Sequence, residues 1–83
     1  TKLPSVFGNN MVLQQKEKVS IWGKDSANIQ IIITTSWGAK SIVKADVNGN
    51  WKTKIKTKKA SFNPESITIK GSNTIILKNI LII

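Results

Sequence analysis

Trp51-Lys52-Thr53-Lys54-Ile55-Lys56-Thr57 places a lysine at every second position. Side chains of a β-strand alternate between its two faces, so Trp51, Thr53, Ile55 and Thr57 share one face and Lys52, Lys54 and Lys56 the other. Such a strand has one dry face and one wet one. Upstream, Ser41 to Val47 behaves likewise, with Val43, Ala45 and Val47 expected inward and Lys40, Lys44 and Asp46 outward. Asn48-Gly49 lies between the two stretches and supplies the positive φ that a tight hairpin joining them needs.

Working outward, turn signals recur at Gly8-Asn9-Asn10, Gly23 to Asn28, Trp37-Gly38, Asn63-Pro64 and Gly71-Ser72-Asn73, with runs of strand length between them. Strands are expected near Val6-Phe7, Met11 to Gln14, Val19 to Gly23, Asn28 to Ser36, Ser41 to Val47, Trp51 to Thr57, Ser66 to Lys70 and Thr74 to Ile82. That spacing predicts an all-β fold, an immunoglobulin-like β-sandwich of seven or eight mainly antiparallel strands, with a jelly-roll or galactose-binding-type sandwich as the alternative. The chain's 83 residues are enough for one such domain and no second.

The final strand breaks the alternation. Ile75, Leu77, Leu81 and Ile83 fall on one parity and Ile76, Ile80 and Ile82 on the other, so both faces call for burial from Ile80 onward. One face can enter the sandwich core, and the other requires a cover. Ile80, Leu81, Ile82 and Ile83 are therefore candidates for packing against a neighbouring domain, and self-association through this strand is expected of the module alone.

Composition excludes most catalytic chemistries. The chain has no His and no Cys, and its acids are Glu17, Asp25, Asp46 and Glu65. A serine nucleophile needs a base to take its proton, and without His none of Ser5, Ser20, Ser36, Ser66 and Ser72 has one. No catalytic residue is assigned. Asp46, Asn48 and Asn50 have the look of a calcium loop's first ligands, but Gly49 is misplaced for one and no closing Glu follows, so no metal or cofactor is assigned either. No apolar run is long enough to span a membrane.

The formal charge of +9 raises nucleic acid as a partner, yet every cation is Lys. Arg, which makes the bidentate contacts of specific recognition, is absent, and nucleic acid is disfavoured. Lys52, Lys54, Lys56, Lys58 and Lys59 read as a solvated outer face, because no exposed aromatic is expected among them. Trp22, beside Val19 and Ile21, and Trp51, on the parity of Ile55, are expected in the core. Trp37, before Gly38 at a turn, is the candidate for contact with glycan or with a neighbouring domain.

Four segments taken together resemble the N-terminal region of the bacterial sialate O-acetylesterases: Leu3 to Gln15, Val19-Ser20-Ile21-Trp22-Gly23, Ala45-Asp46-Val47-Asn48-Gly49-Asn50-Trp51, and Gly71-Ser72-Asn73-Thr74 running on to Leu81. They follow the family's order and span nearly the whole chain. The resemblance implies a β-sandwich followed by an SGNH-type hydrolase domain that removes O-acetyl groups from sialic acids, in a secreted or periplasmic parent. The family's Gly-Gln-Ser-Asn motif would come after the strand at Thr74 to Ile82, so its Ser, Asp and His match no position here. Departures are Ser20, where the family often has Pro, and Trp37. The resemblance thus implies a non-catalytic fragment that docks on and positions a downstream hydrolase domain. An accessory domain of an acetyl xylan esterase and an independent carbohydrate-binding module remain open.

Overall fold

The computed structural model describes Lys2, Leu3 and residues 7–83, apart from the side chains of Ser61 and Phe62. Its elements are β1 (Val12–Leu13), β2 (Lys18–Lys24), β3 (Gln30–Thr35), β4 (Lys40–Lys44), β5 (Asn50–Lys56), β6 (Ser61–Lys70) and β7 (Thr74–Ile82). The all-β sandwich expected from the sequence is what forms, and no helix occurs among the described residues. The strand expected at Val6-Phe7 lies partly outside them, and Phe7 itself sits in a bend.

Its two layers are unequal. One sheet runs β1-β7-β6-β3-β4, and a two-stranded ribbon of β2 and β5 lies across it. Every pairing is antiparallel except that of β1 with β7. Between the layers lie Ile21, Ile31, Ile33, Ile67, Ile69, Ile80 and Ile82, the most deeply buried large side chains, with Trp51, Ile55, Leu13 and Leu77 around them. Stiff β-branched side chains suit a pleated surface, and each fully buried Ile contributes about 1.5–3 kcal/mol relative to exposure.

The expected hairpin forms its turn but not its ladder. Gly49, at φ 82°, donates to the Asp46 carbonyl over 3.0 Å, and Asp46 donates to the Asn50 carbonyl over 2.9 Å. A Cβ at residue 49 would lie 2.1 Å from the Asp25 carbonyl oxygen, so this position requires glycine for space as well as for φ. Beyond the turn the strands part, β4 to β3 and β5 to β2, because Ala45 donates to the Ile29 carbonyl over 2.9 Å and keeps residue 45 with the larger sheet. The Ser41 and Thr53 hydroxyls, 2.5 Å apart, are a remaining link across. Since β4 ends at Lys44, Val47 sits at the turn and is 75% exposed, not inward.

A bulge resolves the conflict in the last strand. Asn79 has φ 58°, and the pairing steps from Ile67↔Leu77 to Glu65↔Ile80, placing an extra residue in β7. Parity flips there, so Ile75 and Leu77 point inward before it and Ile80 and Ile82 after it. One face of β7 therefore fills the core, leaving Ile76, Leu81 and Ile83 outside. Asn63-Pro64 is likewise no turn: it falls inside β6, where the pairing between Ser61 and Glu65 is irregular and the missing proline N–H is tolerated.

Polar clasps close the ends. Thr57, at the end of β5, is buried; its hydroxyl accepts from the Glu17 amide over 2.9 Å and donates to the Gln14 carbonyl over 2.6 Å, fixing the β1–β2 turn. At the far end Asp25 accepts from the Ser26 amide over 2.7 Å and from the Ser72 amide over 3.1 Å. That contact draws the β2–β3 and β6–β7 turns together.

Candidate functional site

The hydroxyls and carboxylates weighed as candidates for chemistry serve the frame. Ser72 donates to Asp25 over 2.5 Å, Ser36 donates to Glu65, and the Ser66 amide donates to the Ser36 hydroxyl over 2.9 Å. Ser20 lies half-buried on the ribbon, and Ser5 falls outside the described residues. Glu65 is buried and accepts from Lys58 Nζ over 2.5 Å; the hydrogen bonds from Lys58 and Ser36 hold its carboxyl below its ordinary pKa of 4.5 against the opposing effect of burial. Asp46 Oδ1 accepts from the Asn48 and Asn50 amides over 2.8 and 2.9 Å, an Asx arrangement that organises the turn. With no His in the chain, these groups offer no activated nucleophile.

The tryptophans are arranged differently from expectation. Trp51 is buried as expected, 3% exposed, and its indole N–H has no acceptor among the described residues. Trp37 is half-buried against the core, its Nε1 donating to the Lys56 carbonyl over 3.0 Å, so the expected exposed tip is tied down. Trp22 is not in the core: it is 41% exposed on the outer face of the ribbon. Alternation through Val19-Ser20-Ile21-Trp22-Gly23-Lys24 sends Val19 and Ile21 inward and Trp22 outward, and that parity was the signal available in the sequence. The Phe7 ring meets the Trp22 ring edge-on, with centroids 4.8 Å apart and planes at 75°.

Around Trp22 the ribbon is basic. Register places Lys18 opposite Lys56, Ser20 opposite Lys54, Trp22 opposite Lys52 and Lys24 opposite Asn50. Five lysines thus share the face, two of them on β2 where the sequence reading had not joined them to the stripe. Lys58 leaves it, being paired with Glu65. An open depression of about 530 Å³ beside Trp22 is lined by Trp22, Gly23, Asp46, Asn50, Trp51 and Lys52. Gly23 lets the chain close up here: a Cβ would lie 2.4 Å from the Lys2 carbonyl and 2.9 Å from the Trp51 ring. Lys2 and Lys24 exchange backbone hydrogen bonds of 2.7 and 2.9 Å at that point.

The larger sheet carries a contrasting outer face. Ile42 and Ile76 are each more than half exposed, and Val12, paired with Leu81, and Ile83 continue the apolar surface along β1 and β7. Of the four residues assigned to interdomain packing, Ile80 and Ile82 are buried in this domain's own core, while Leu81 and Ile83 remain available to a neighbour. A second depression of about 470 Å³, lined by Val12, Leu13, Gln14, Gln15 and Ile83, opens at this end. β7 lies between β1 and β6, so it is not an open edge.

No family model matches the sequence, and no curated protein matches it. Among solved structures, the chain is similar to a carbohydrate acetylesterase from Xanthomonas citri, with a TM-score of 0.88 and 27% sequence identity. The match covers 98% of this chain and 18% of that one. The similarity supports a domain related to carbohydrate esterases and leaves the acetylated sugar unspecified.

Proposed function

We propose that this chain is a non-catalytic β-sandwich module of a carbohydrate acetylesterase, and that its parent is a sialate O-acetylesterase of the secreted or periplasmic kind. The observation that carries the reading is the likeness of nearly the whole chain to less than a fifth of an acetylesterase, joined to a composition without the base that ester hydrolysis by serine needs. The sialate preference rests on the four segments quoted above. Three of them supply the clasps of the fold: Asn9 Oδ1 accepts from the Lys78 amide over 2.7 Å, the Asp46–Asn50 turn seats against Asp25, and Ser72 binds Asp25.

In this reading the module docks on a downstream hydrolase domain through the exposed aliphatic side chains along β1 and β7, Leu81 and Ile83 among them. An esterase assay with the chain alone and the coding sequence after Ile83 test the proposal together. The expected results are no turnover of an aryl acetate and a Gly-Gln-Ser-Asn motif in the residues that follow. Turnover by the purified chain, or a following sequence without hydrolase character, would overturn it.

A further inference from the structure

We propose that the outer face of the β2–β5 ribbon binds an anionic polysaccharide, with a sugar ring stacked on Trp22 and acid groups set on Lys52, Lys54 and Lys24. Binding of this kind is separate from ester hydrolysis and does not depend on the identity of the parent.

Charge is the first support. Lys18, Lys24, Lys52, Lys54 and Lys56 stand on one face of a two-stranded ribbon, and among the described residues none of them meets a carboxylate. Lysines two apart on one strand are about 7 Å from each other, close enough to repel within a Debye length. A polyanion laid along the ribbon relieves that repulsion at several points together. Asp46, in the lining of the depression beside Lys52, is engaged by two backbone amides. Asp25 and Glu17 adjoin Lys24 and Lys18 at the ribbon's ends, which leaves Lys52 and Lys54 as the stretch farthest from an acid along the strands.

Trp22 is the second. Like charges on an outer face discourage aggregation without any aromatic among them, so solubility does not account for an indole opposite Lys52. Phe7 packs against the ring with the two planes at 75°, and an indole in such a contact loses less side-chain entropy when the C–H face of a pyranose stacks on it. Two depressions border the indole, one of about 530 Å³ with Trp51 and Lys52 in its lining and one of about 370 Å³ with Lys2, Leu3 and Lys24, giving room for a sugar next to the stacked one. Trp51, in the wall of the larger depression, keeps a buried N–H without an acceptor among the described residues.

Saccharide suits this face better than nucleic acid. A single-stranded nucleic acid spreads successive bases over several aromatic rings and draws on Arg, whereas this ribbon presents one indole and no Arg. Lysine contributes point charges with little directional demand, which fits acid groups repeated along a flexible sugar chain.

Titration of the whole chain with hexagalacturonate at low salt, followed by Trp fluorescence and calorimetry, tests the proposal. Binding is expected to weaken as salt rises, to exceed that of neutral xylohexaose, and to fall about tenfold or more in Trp22→Ala and in Lys52→Gln/Lys54→Gln. Trp22→Tyr should retain part of it. Unchanged thermal unfolding of these variants separates lost binding from lost fold. No binding by the intact chain, full binding by folded Trp22→Ala, or tighter binding of an oligothymidylate than of hexagalacturonate would each overturn the assignment.

Discussion

The two outer faces of this sandwich are built on the same core and differ in what stands among their lysines, one indole on the ribbon and several exposed aliphatic side chains on the larger sheet. The ribbon turns outward Lys18, Lys24, Lys52, Lys54 and Lys56 around Trp22, whereas the larger sheet turns outward Ile42, Ile76, Val12 and Leu81 with Lys40, Lys44 and Lys70 among them. In strands of period two the inward residues specify the fold and the outward ones are free to vary. What each face presents is thus a statement about what it meets. A cationic face with one ordered indole suits an anionic ligand arriving from solvent, and exposed isoleucines suit a protein surface that stays.

Removing the shared core should erase both faces together. Ile67→Ala, between the layers, is expected to cost about 2–5 kcal/mol, and Gly49→Ala to cost a similar amount through the clash with the Asp25 carbonyl. Chemical denaturation measures both. A loss below about 1 kcal/mol in either would mean that the layers do not depend on one another as described.

Thr57→Ala acts on one end of the ribbon, leaving the Glu17 amide without its side-chain acceptor. The expected cost is about 1–2 kcal/mol, with faster amide exchange near Gln14 to Lys18 than in β3 or β6. Equal acceleration in both layers would blur the distinction between them.

Glu65 on β6 ties the larger sheet to Lys58, just beyond the ribbon. Because its folded carboxyl titrates below the ordinary 4.5, the stability it adds is present above that pH and is lost as pH falls through the lower folded value. Glu65→Gln should therefore flatten the acid limb of a melting-temperature profile. An unchanged acid limb would remove this tie from the account.

The smallest effects belong to the sheet's outer face. Ile42→Lys and Ile76→Lys should change stability by no more than about 0.5 kcal/mol while reducing self-association of the chain at high concentration, read by light scattering. Self-association undiminished by both substitutions would place the contact elsewhere.

Much of this was legible in the sequence wherever one strand sufficed. Alternation in Trp51 to Thr57 gave the buried and lysine faces of β5 correctly, and the Asp46–Asn50 turn was marked by Asn48-Gly49. Trp22 was legible too, through its parity with Ser20 and Lys24, but apolar neighbours outweighed parity in assigning it to the core. Two features lay beyond local reading. The bulge at Asn79 is defined only against β6, and the parting of β4 from β5 is set by Ala45 bonding to Ile29, a partner remote in sequence. Pairing between distant segments decides such points, and no local pattern encodes it.

Chemical-shift mapping of the isotope-labelled chain during titration with hexagalacturonate tests the division of labour between the faces most directly. The account predicts movement of the Trp22 indole and of the Lys52 and Lys54 amides, with Ile42, Ile76 and Leu81 unmoved. Shifts centred on the isoleucine face, or spread evenly over both, would contradict it.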